Sequence, residues 1–188
     1  MIKIGITGSI ASGKTTASKI LSYKRGPLFS ADKTVKALYL NRNFKRSLIK
    51  KLSIEKKSSL KNFLKNKILE NKNNIKKLET IIHPIVRKKM KNFSNANKRK
   101  KILFYEIPLL IENKLMKYFN VIIFIKAKRI IRLRRFKKDG GNEKLFNILN
   151  SKQLSDKEKV KYSHHMVVNE KDLKFLKKNL TDIIKFYV

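Results

Sequence analysis

The stretch "GITGSIASGKTT", residues 5–16, decides the fold of this chain. It follows the apolar run "MIKI" and contains three of the six glycines in the sequence. Four residues separate Gly8 from Gly13, and Lys14 and Thr15 follow at once, which is the phosphate-loop pattern in its usual setting between a strand and a helix. The backbone N–H groups of such a loop, and those at the start of the helix, turn toward a phosphate. The sequence therefore predicts a site for the phosphates of a nucleoside triphosphate.

The side chains of the loop have separate expected tasks. Lys14 can reach the β- and γ-phosphates of ATP, and the hydroxyl of Thr15 can hold Mg²⁺. The alternative is a glycine-rich turn with a solvent-facing lysine, but such a turn requires neither the second glycine nor a threonine at this offset. We therefore expect the triphosphate of a nucleotide to be bound by Gly8, Ala11, Ser12, Gly13, Lys14, Thr15 and Thr16.

Composition sets the broad class of the protein. The chain has 188 residues and no cysteine, which fits one compact domain with a small inserted lobe and excludes a disulfide framework or a cysteine-based metal site. No segment approaches the roughly 20 apolar residues of a membrane helix, and the first residues lack the basic-then-apolar order of a signal peptide. We expect a cytoplasmic protein without a membrane partner.

The charge balance is strongly basic. Lys and Arg together number 48 against 13 Asp and Glu, which gives a net charge of +35. The excess is spread along the whole chain, whereas a nucleic-acid-binding surface usually concentrates its basic residues on one element. We interpret the excess mainly as compositional drift on solvated faces, with a weaker alternative in which the field gathers anionic substrates into a cleft. We expect no specific nucleic-acid partner, and we expect a monomer.

Strand-like and helix-like segments alternate along the chain, which indicates an α/β sandwich built on a parallel sheet. The strand-like segments are "MIKIGI" (1–6), "GPLFSAD" (26–32), "KILFYEIP" (101–108), "NVIIFIKA" (120–127) and "HHMVVN" (164–169). Helical spacing of apolar residues predicts helices at 14–22, from Asp32, over 44–93, after 128, over 143–154 and at the C-terminus. A helix is also expected after each of the two long apolar runs.

Two carboxylates follow strand-like segments, at the edge where a parallel sheet delivers side chains to a ligand crevice. Asp32 could accept the proton of an attacking hydroxyl as general base. It could equally cap the helix that it begins, because aspartate is a favoured cap residue. Glu106 could orient Mg²⁺ through water, with a surface carboxylate before Pro108 as the alternative.

A basic helix near residue 130 is a candidate lid. It leads into the turn "DGGN" (139–142), whose glycines could act as a hinge for closure over phosphates. A solvated basic face is the competing interpretation in a chain so rich in lysine. The basic side chains concerned are Arg132, Arg134, Arg135, Lys137 and Lys138. The histidines at positions 83, 164 and 165 lack sequence companions for a triad or a metal site.

Several motifs resemble, in order and spacing, those of the dephospho-CoA kinases. They are the phosphate loop, "GPLFSAD" (26–32), "LETIIHPIVR" (78–87), "EIPLLIE" (106–112), "RRFKKD" (134–139), Gln153 and "EKVKYSHHMVVN" (158–169). The motifs span nearly the whole chain. The "HP" helix and the "PLL" turn are the more diagnostic, because many nucleotide kinases share the phosphate loop.

The resemblance implies a P-loop fold like that of the nucleoside monophosphate kinases: a three-layer α/β sandwich with five parallel strands, a helical insertion that binds the coenzyme A moiety, and a lid. It implies ATP-dependent phosphorylation of the ribose 3′-hydroxyl of dephospho-coenzyme A, the last step of coenzyme A synthesis. The corresponding division is a core at 1–43, 101–127 and 163–188, a helical lobe at 44–100, and a lid with flanking helices at 128–162. Another small-molecule P-loop kinase acting on a nucleoside or nucleotide, and a nucleic-acid-binding P-loop protein, are the alternatives.

The resemblance also implies roles for single residues. Asp32 matches the general base, and Lys138 falls where the family usually has a lid arginine. The implied ATP-binding residues outside the loop are Arg134, Gln153 and Asn169, the implied metal-binding residues are Thr15 and Glu106, and the implied acceptor-binding residues are Asp32, His83, Pro84, Arg87 and Leu109. Lys14, Asp32 and Lys138 form the implied catalytic set.

Three positions depart from the family pattern. Ser30 stands where the family usually has the first carboxylate of Asp-Ala-Asp, and Glu106 replaces a frequent aspartate. Lys138 gives up the planar, bidentate donor that arginine supplies.

Overall fold

The structure, a computed structural model, describes residues 1–51 and 73–187. Its strands are β1 (Ile2–Gly8), β2 (Leu28–Ser30), β3 (Ile102–Glu106), β4 (Val121–Lys126) and β5 (His165–Val168). They form one parallel sheet in the order β2-β3-β1-β4-β5. The expected α/β class and the five parallel strands are confirmed.

Helices connect these strands. Those in the described ranges are α1 (Lys14–Ser22), α2 (Ala31–Leu40), α3 (Arg42–Lys51), α4 (Asn73–Ala96), α5 (Arg129–Lys138), α6 (Glu143–Asn150), α7 (Asp156–Lys161) and α8 (Leu173–Ile184), with a 3-10 helix at Met116–Tyr118. None of the helices in these ranges has both the length and the apolar character needed to cross a bilayer.

The core lies where α1 and α8 cover the central strands. β3 and β4 consist mainly of Ile, Val, Leu and Phe and are almost entirely buried, as expected for parallel strands covered on both faces. On α8 the buried residues Leu176, Leu180 and Ile184 recur every four positions, and Ala17 and Leu21 of α1 join the same cluster. This packing fixes the direction in which α1 leaves β1.

The carboxyl ends of three neighbouring strands meet at one edge of the sheet. Glu106, the last residue of β3, pairs in register with Ser30 at the end of β2 and with Ile6 of β1. Gly8, at the end of β1, pairs with Ile125 of β4. The phosphate loop, Glu106 and Ser30 therefore share the edge at which parallel α/β sheets bind ligands.

The chain divides into two compact units, one made of Met1–Ala31 with Phe93–Val188 and the other of Asp32–Asn92. The first contains the whole sheet. In the second, which is helical in its described part, Leu38, Leu48 and Ile82 are buried. The lobe and lid boundaries expected from the sequence stay predictions.

Two local expectations were wrong. β3 is followed by turns and a 3-10 helix, not by an α-helix, because Lys114 adopts a left-handed backbone (φ 53°) that closes the turn. The helix expected over 143–154 ends at Asn150, and a separate helix, α7, begins after Ser155. The part of the expected helical stretch that falls at residues 52–72 lies outside the described residues.

Candidate active site

The loop between β1 and α1 ends in a glycine with a left-handed backbone. Gly13 is the N-cap of α1 with φ 92°, and because glycine has no side chain it makes no side-chain cap. By contrast, α6, α7 and α8 each begin at a residue whose side chain accepts from the first turn. The first N–H groups of α1, with the positive end of the helix dipole, therefore form an anion site.

The two motif glycines are required by close contacts. A Cβ on Gly8 would lie 2.5 Å from the carbonyl oxygen of Ile125 and 2.6 Å from Oγ of Ser12. A Cβ on Gly13 would collide with the side-chain amide of Asn169. Within the described ranges, the buried Oγ of Ser12 has no hydrogen-bond partner. A phosphate oxygen would give this hydroxyl an acceptor, so the loop fits the triphosphate of a nucleotide.

Three candidate site side chains meet at the start of α1. Nζ of Lys14 donates to the carbonyl of Ser9 at 3.0 Å, and the side chain is 8% exposed. The hydroxyl of Thr15 donates to Oε1 of Glu106 at 2.5 Å, and Glu106 is 1% exposed. A cation, a hydroxyl and a carboxylate therefore surround the anion site.

Hydroxyl and carboxylate oxygens are the donors that Mg²⁺ prefers. In the described part of the chain, no group of three or more His, Cys, Asp or Glu residues could hold a metal ion. A single carboxylate beside a phosphate loop nevertheless fits Mg²⁺, because this ion usually keeps several waters and takes most other ligands from the substrate phosphates. Thr15 and Glu106 are the residues that fit it.

The far end of the phosphate loop is held by two residues that lie distant in sequence. The carbonyl of Ser12 accepts from Nδ2 of Asn169 at 2.8 Å and from Nη1 of Arg135 at 3.5 Å. Nη2 of Arg135 also donates to the carbonyl of Asn169 at 3.1 Å. Arg135 and Asn169 thus form one support beneath Gly13.

The middle of the loop is held in the same way. Oε1 of Gln153 accepts from the N–H of Ile10 at 2.8 Å, and Nη1 of Arg132 donates to the carbonyl of Ile10 at 3.4 Å. Arg132 is 6% exposed, and this burial lowers its pKa, although the nearby charge of Asp156 acts in the opposite direction. Arg132 is therefore a buried residue that supports the loop at the carbonyl of Ile10.

The first residue of the loop contacts a buried ion pair. The hydroxyl of Ser9 donates to Oδ1 of Asp156 at 2.8 Å and accepts from Nζ of Lys159 at 3.3 Å. Nζ of Lys159 lies 3.0 Å from Oε1 of Glu112. The loop is thus anchored at Ser9, Ile10 and Ser12.

Other residues expected at the site lie on α5, in the turn after β3 and on α2. Arg134 and Lys138 are exposed on α5, and Leu109 is half-buried in the turn after β3. α2 begins at Ala31, so Asp32 lies in its first turn and is not its N-cap as the alternative expectation had it; the side chain is exposed.

His83, Pro84 and Arg87 belong to the second unit and lie on α4, which continues through the proline. Burial lowers the pKa of His83, the charge of Glu79 opposes this shift, and the charge of Arg87 adds to it. Pro84 and Arg87 are exposed. Their roles stay predictions.

Comparison with known proteins identifies the family. The sequence model of the dephospho-CoA kinases matches residues 2–174. The chain belongs to the dephospho-CoA kinase family. It is 35% identical to the dephospho-CoA kinase of Bartonella quintana, over 97% of this chain and 96% of that protein.

Solved structures agree with this assignment. The dephospho-CoA kinase of Campylobacter jejuni has a TM-score of 0.66 and 25% identity, covering 97% of this chain and 95% of that one. A structure from Thermus thermophilus, 24% identical over 100% of this chain and 98% of its own, shares the fold with a TM-score of 0.78. This chain is therefore a phosphotransferase, a dephospho-CoA kinase, as the resemblance implied.

Sequence reasoning missed part of the support of the kinase site. It assigned no role to Ser9, Asp156 or Lys159, and it treated Arg132 and Arg135 only as parts of a lid. One signal was available, because Ser155 and Glu158 form a capping box. That pattern marks the start of α7 and puts positions 156 and 159 on one face of the helix.

Proposed function

We propose that this dephospho-CoA kinase transfers the γ-phosphoryl group of ATP to the ribose 3′-hydroxyl of dephospho-coenzyme A, which completes coenzyme A synthesis. The observation that carries the proposal is the start of α1, where the N-cap Gly13 has no side chain to occupy the first N–H groups and Lys14 and Thr15 follow it. This arrangement suits the β- and γ-phosphates of a nucleotide.

The phosphate loop binds and orients the triphosphate. Its N–H groups donate to the phosphate oxygens, and the ammonium of Lys14 moves from the carbonyl of Ser9 to the β- and γ-phosphates. The positive charge then stabilises the transition state, in which negative charge spreads over the transferred group. Arg134 completes the ATP site from its exposed side, and Gln153 and Asn169 complete it by holding the loop at Ile10 and Ser12.

Asp32 acts as the general base. A bond forms between the 3′-oxygen of the acceptor and the γ-phosphorus, while the bond from that phosphorus to the bridging oxygen of ADP breaks. The proton of the attacking hydroxyl passes to the carboxylate of Asp32. His83, Pro84, Arg87 and Leu109 bind the acceptor and hold its hydroxyl in line.

Thr15, with its hydroxyl, and Glu106, with its carboxylate, are the residues that would hold Mg²⁺. When bound, this ion supplies positive charge that neutralises the β- and γ-phosphate oxygens. Lys138, on α5, adds a further positive charge from the lid side and helps to exclude water. We propose that the enzyme works as a cytoplasmic monomer on these small molecules.

One assay tests the proposal. Purified protein is incubated with ATP, Mg²⁺ and dephospho-coenzyme A, and the products are identified by mass. Formation of ADP and coenzyme A in equal amounts is the expected result. Transfer to nucleosides or nucleotides without transfer to dephospho-coenzyme A would instead indicate a different small-molecule kinase.

A further inference from the structure

A buried lysine of α7 links the phosphate loop to the turn after β3. Lys159 is 0% exposed, and its ammonium contacts both Oε1 of Glu112 and the hydroxyl oxygen of Ser9. The same Ser9 hydroxyl donates to Oδ1 of Asp156 at 2.8 Å. Asp156 and Lys159 are three residues apart on one helix, so one face of α7 reaches a single loop residue twice.

Stability alone does not explain this ion pair. Removing two charges from water is costly, and an apolar pair of similar volume often gives equal or greater stability. An apolar pair cannot, however, supply a directed donor to the hydroxyl of Ser9. The ammonium of Lys159 is that donor, and its contact with Glu112 orients it.

We propose that Lys159 is a positioning residue for phosphoryl transfer, acting through Ser9. The carbonyl of Ser9 accepts from Nζ of Lys14, so the position of Ser9 affects the lysine that binds the phosphates. Glu112 also accepts from the N–H of Leu154 at 3.2 Å, which fixes the carboxylate independently of Lys159. The inference rests on the proposed function, because it assigns the network to the same reaction.

The test removes both charges together. In the double variant Lys159→Met with Glu112→Gln, no unpaired charge is left by the pair, and glutamine keeps an acceptor for the N–H of Leu154. The matched control is Lys157→Met, because Lys157 is exposed on the same helix. Steady-state rates are divided by the number of ADP-binding sites per chain, measured by calorimetry, so that misfolded protein does not contribute.

We expect the double variant to melt near the wild-type temperature. Its kcat should fall about 10- to 100-fold, the range that a small misplacement of reacting groups produces. KM for dephospho-coenzyme A should change little, and Lys157→Met should behave as wild type. A folded double variant with wild-type kcat would overturn the proposal, as would a loss of rate that disappears after correction for ADP sites.

The variant Ser9→Ala is a second test of the proposal, and it leaves the ion pair of Lys159 and Glu112 intact. This variant should also have a lower kcat than the wild type, and an unchanged kcat would overturn the proposal. If the wild-type protein does not phosphorylate dephospho-coenzyme A, the proposed function fails separately. The ADP affinity of the same variants then decides the inference, because weaker binding than in Lys157→Met supports it and equal binding overturns it.

Discussion

The hydroxyl of Thr15 donates to Oε1 of Glu106 at 2.5 Å, although the two residues are 91 positions apart. The contact joins the first turn of α1, which follows β1, to the end of β3, and β1 and β3 are neighbouring strands of the sheet. Because Glu106 is almost fully buried, its orientation is set by the fold. The fold thus holds together the hydroxyl and the carboxylate that we propose as Mg²⁺ ligands.

Glu106→Gln should weaken the response of the enzyme to magnesium. The variant keeps an acceptor for the hydroxyl of Thr15 but loses the negative charge. We expect the Mg²⁺ concentration for half-maximal rate to rise about 10- to 100-fold, the usual effect of changing a residue that orients a metal's water ligands. The measurement is the initial rate across a magnesium titration, and an unchanged midpoint would contradict the role.

Lys14→Ala should lower kcat by about two to three orders of magnitude, the effect of removing one preorganised donor to a transition-state charge. Lys19→Ala is the matched control, because Lys19 is exposed on the same helix. Stopped-flow or coupled assays of ADP release measure the rate. Wild-type turnover in Lys14→Ala would mean that the reaction occurs elsewhere.

Asp32→Asn distinguishes a general base from a helix-terminal residue. Asparagine keeps the shape of the side chain, but it accepts a proton poorly. Folding and ATP binding should survive, while turnover falls by about two to four orders of magnitude, the range of general-base catalysis. Melting temperature and ATP affinity are the controls, and full turnover would leave Asp32 with a structural role only.

Lys138→Ala should reduce turnover by roughly 10²-fold if its ammonium stabilises transition-state charge. It should leave the melting temperature nearly unchanged, because Lys138 is exposed. Lys144→Ala is the control, since Lys144 is an exposed lysine on α6. If turnover is unaffected, the charge on the lid side must come from Arg134 or Arg135.

The stability of the fold should depend on pH through His165. Burial, and to a smaller extent the charge of His164, lower the pKa of His165, whose ring lies 2.6 Å from the hydroxyl of Tyr187. The folded state therefore favours the neutral ring. Its contribution is fully present above the unfolded pKa of about 6.5 and is lost as the pH falls through the lower folded pKa.

Thermal melting at pH 7.5 and pH 5.0 checks this dependence. The melting temperature should drop on acidification, and the drop should be smaller in His165→Gln. Part of the drop should remain, because burial also lowers the pKa of His83. An equal drop in wild type and variant would show that His165 does not contribute.

Local sequence patterns predicted most of the fold. Three patterns depend only on residues a few positions apart: the phosphate loop, the apolar runs of the strands and the amphipathic C-terminal helix. Such patterns can be recognised in the sequence alone. The turn after β3 was mispredicted. A left-handed backbone is uncommon for a residue other than glycine, so the lysine at position 114 does not indicate one.

The sequence by itself determined the class of site: glycines, a lysine and a threonine at fixed offsets specify a phosphate-binding loop because their effect is local. Only the tertiary structure decided which side chains support that loop. Arg132 and Ile10 are 122 positions apart and Lys159 and Ser9 are 150 apart. In a chain with 48 basic residues, no local sequence pattern distinguishes a buried, oriented cation from a solvated one. The difference arises only when the sheet and the helices bring these distant segments together.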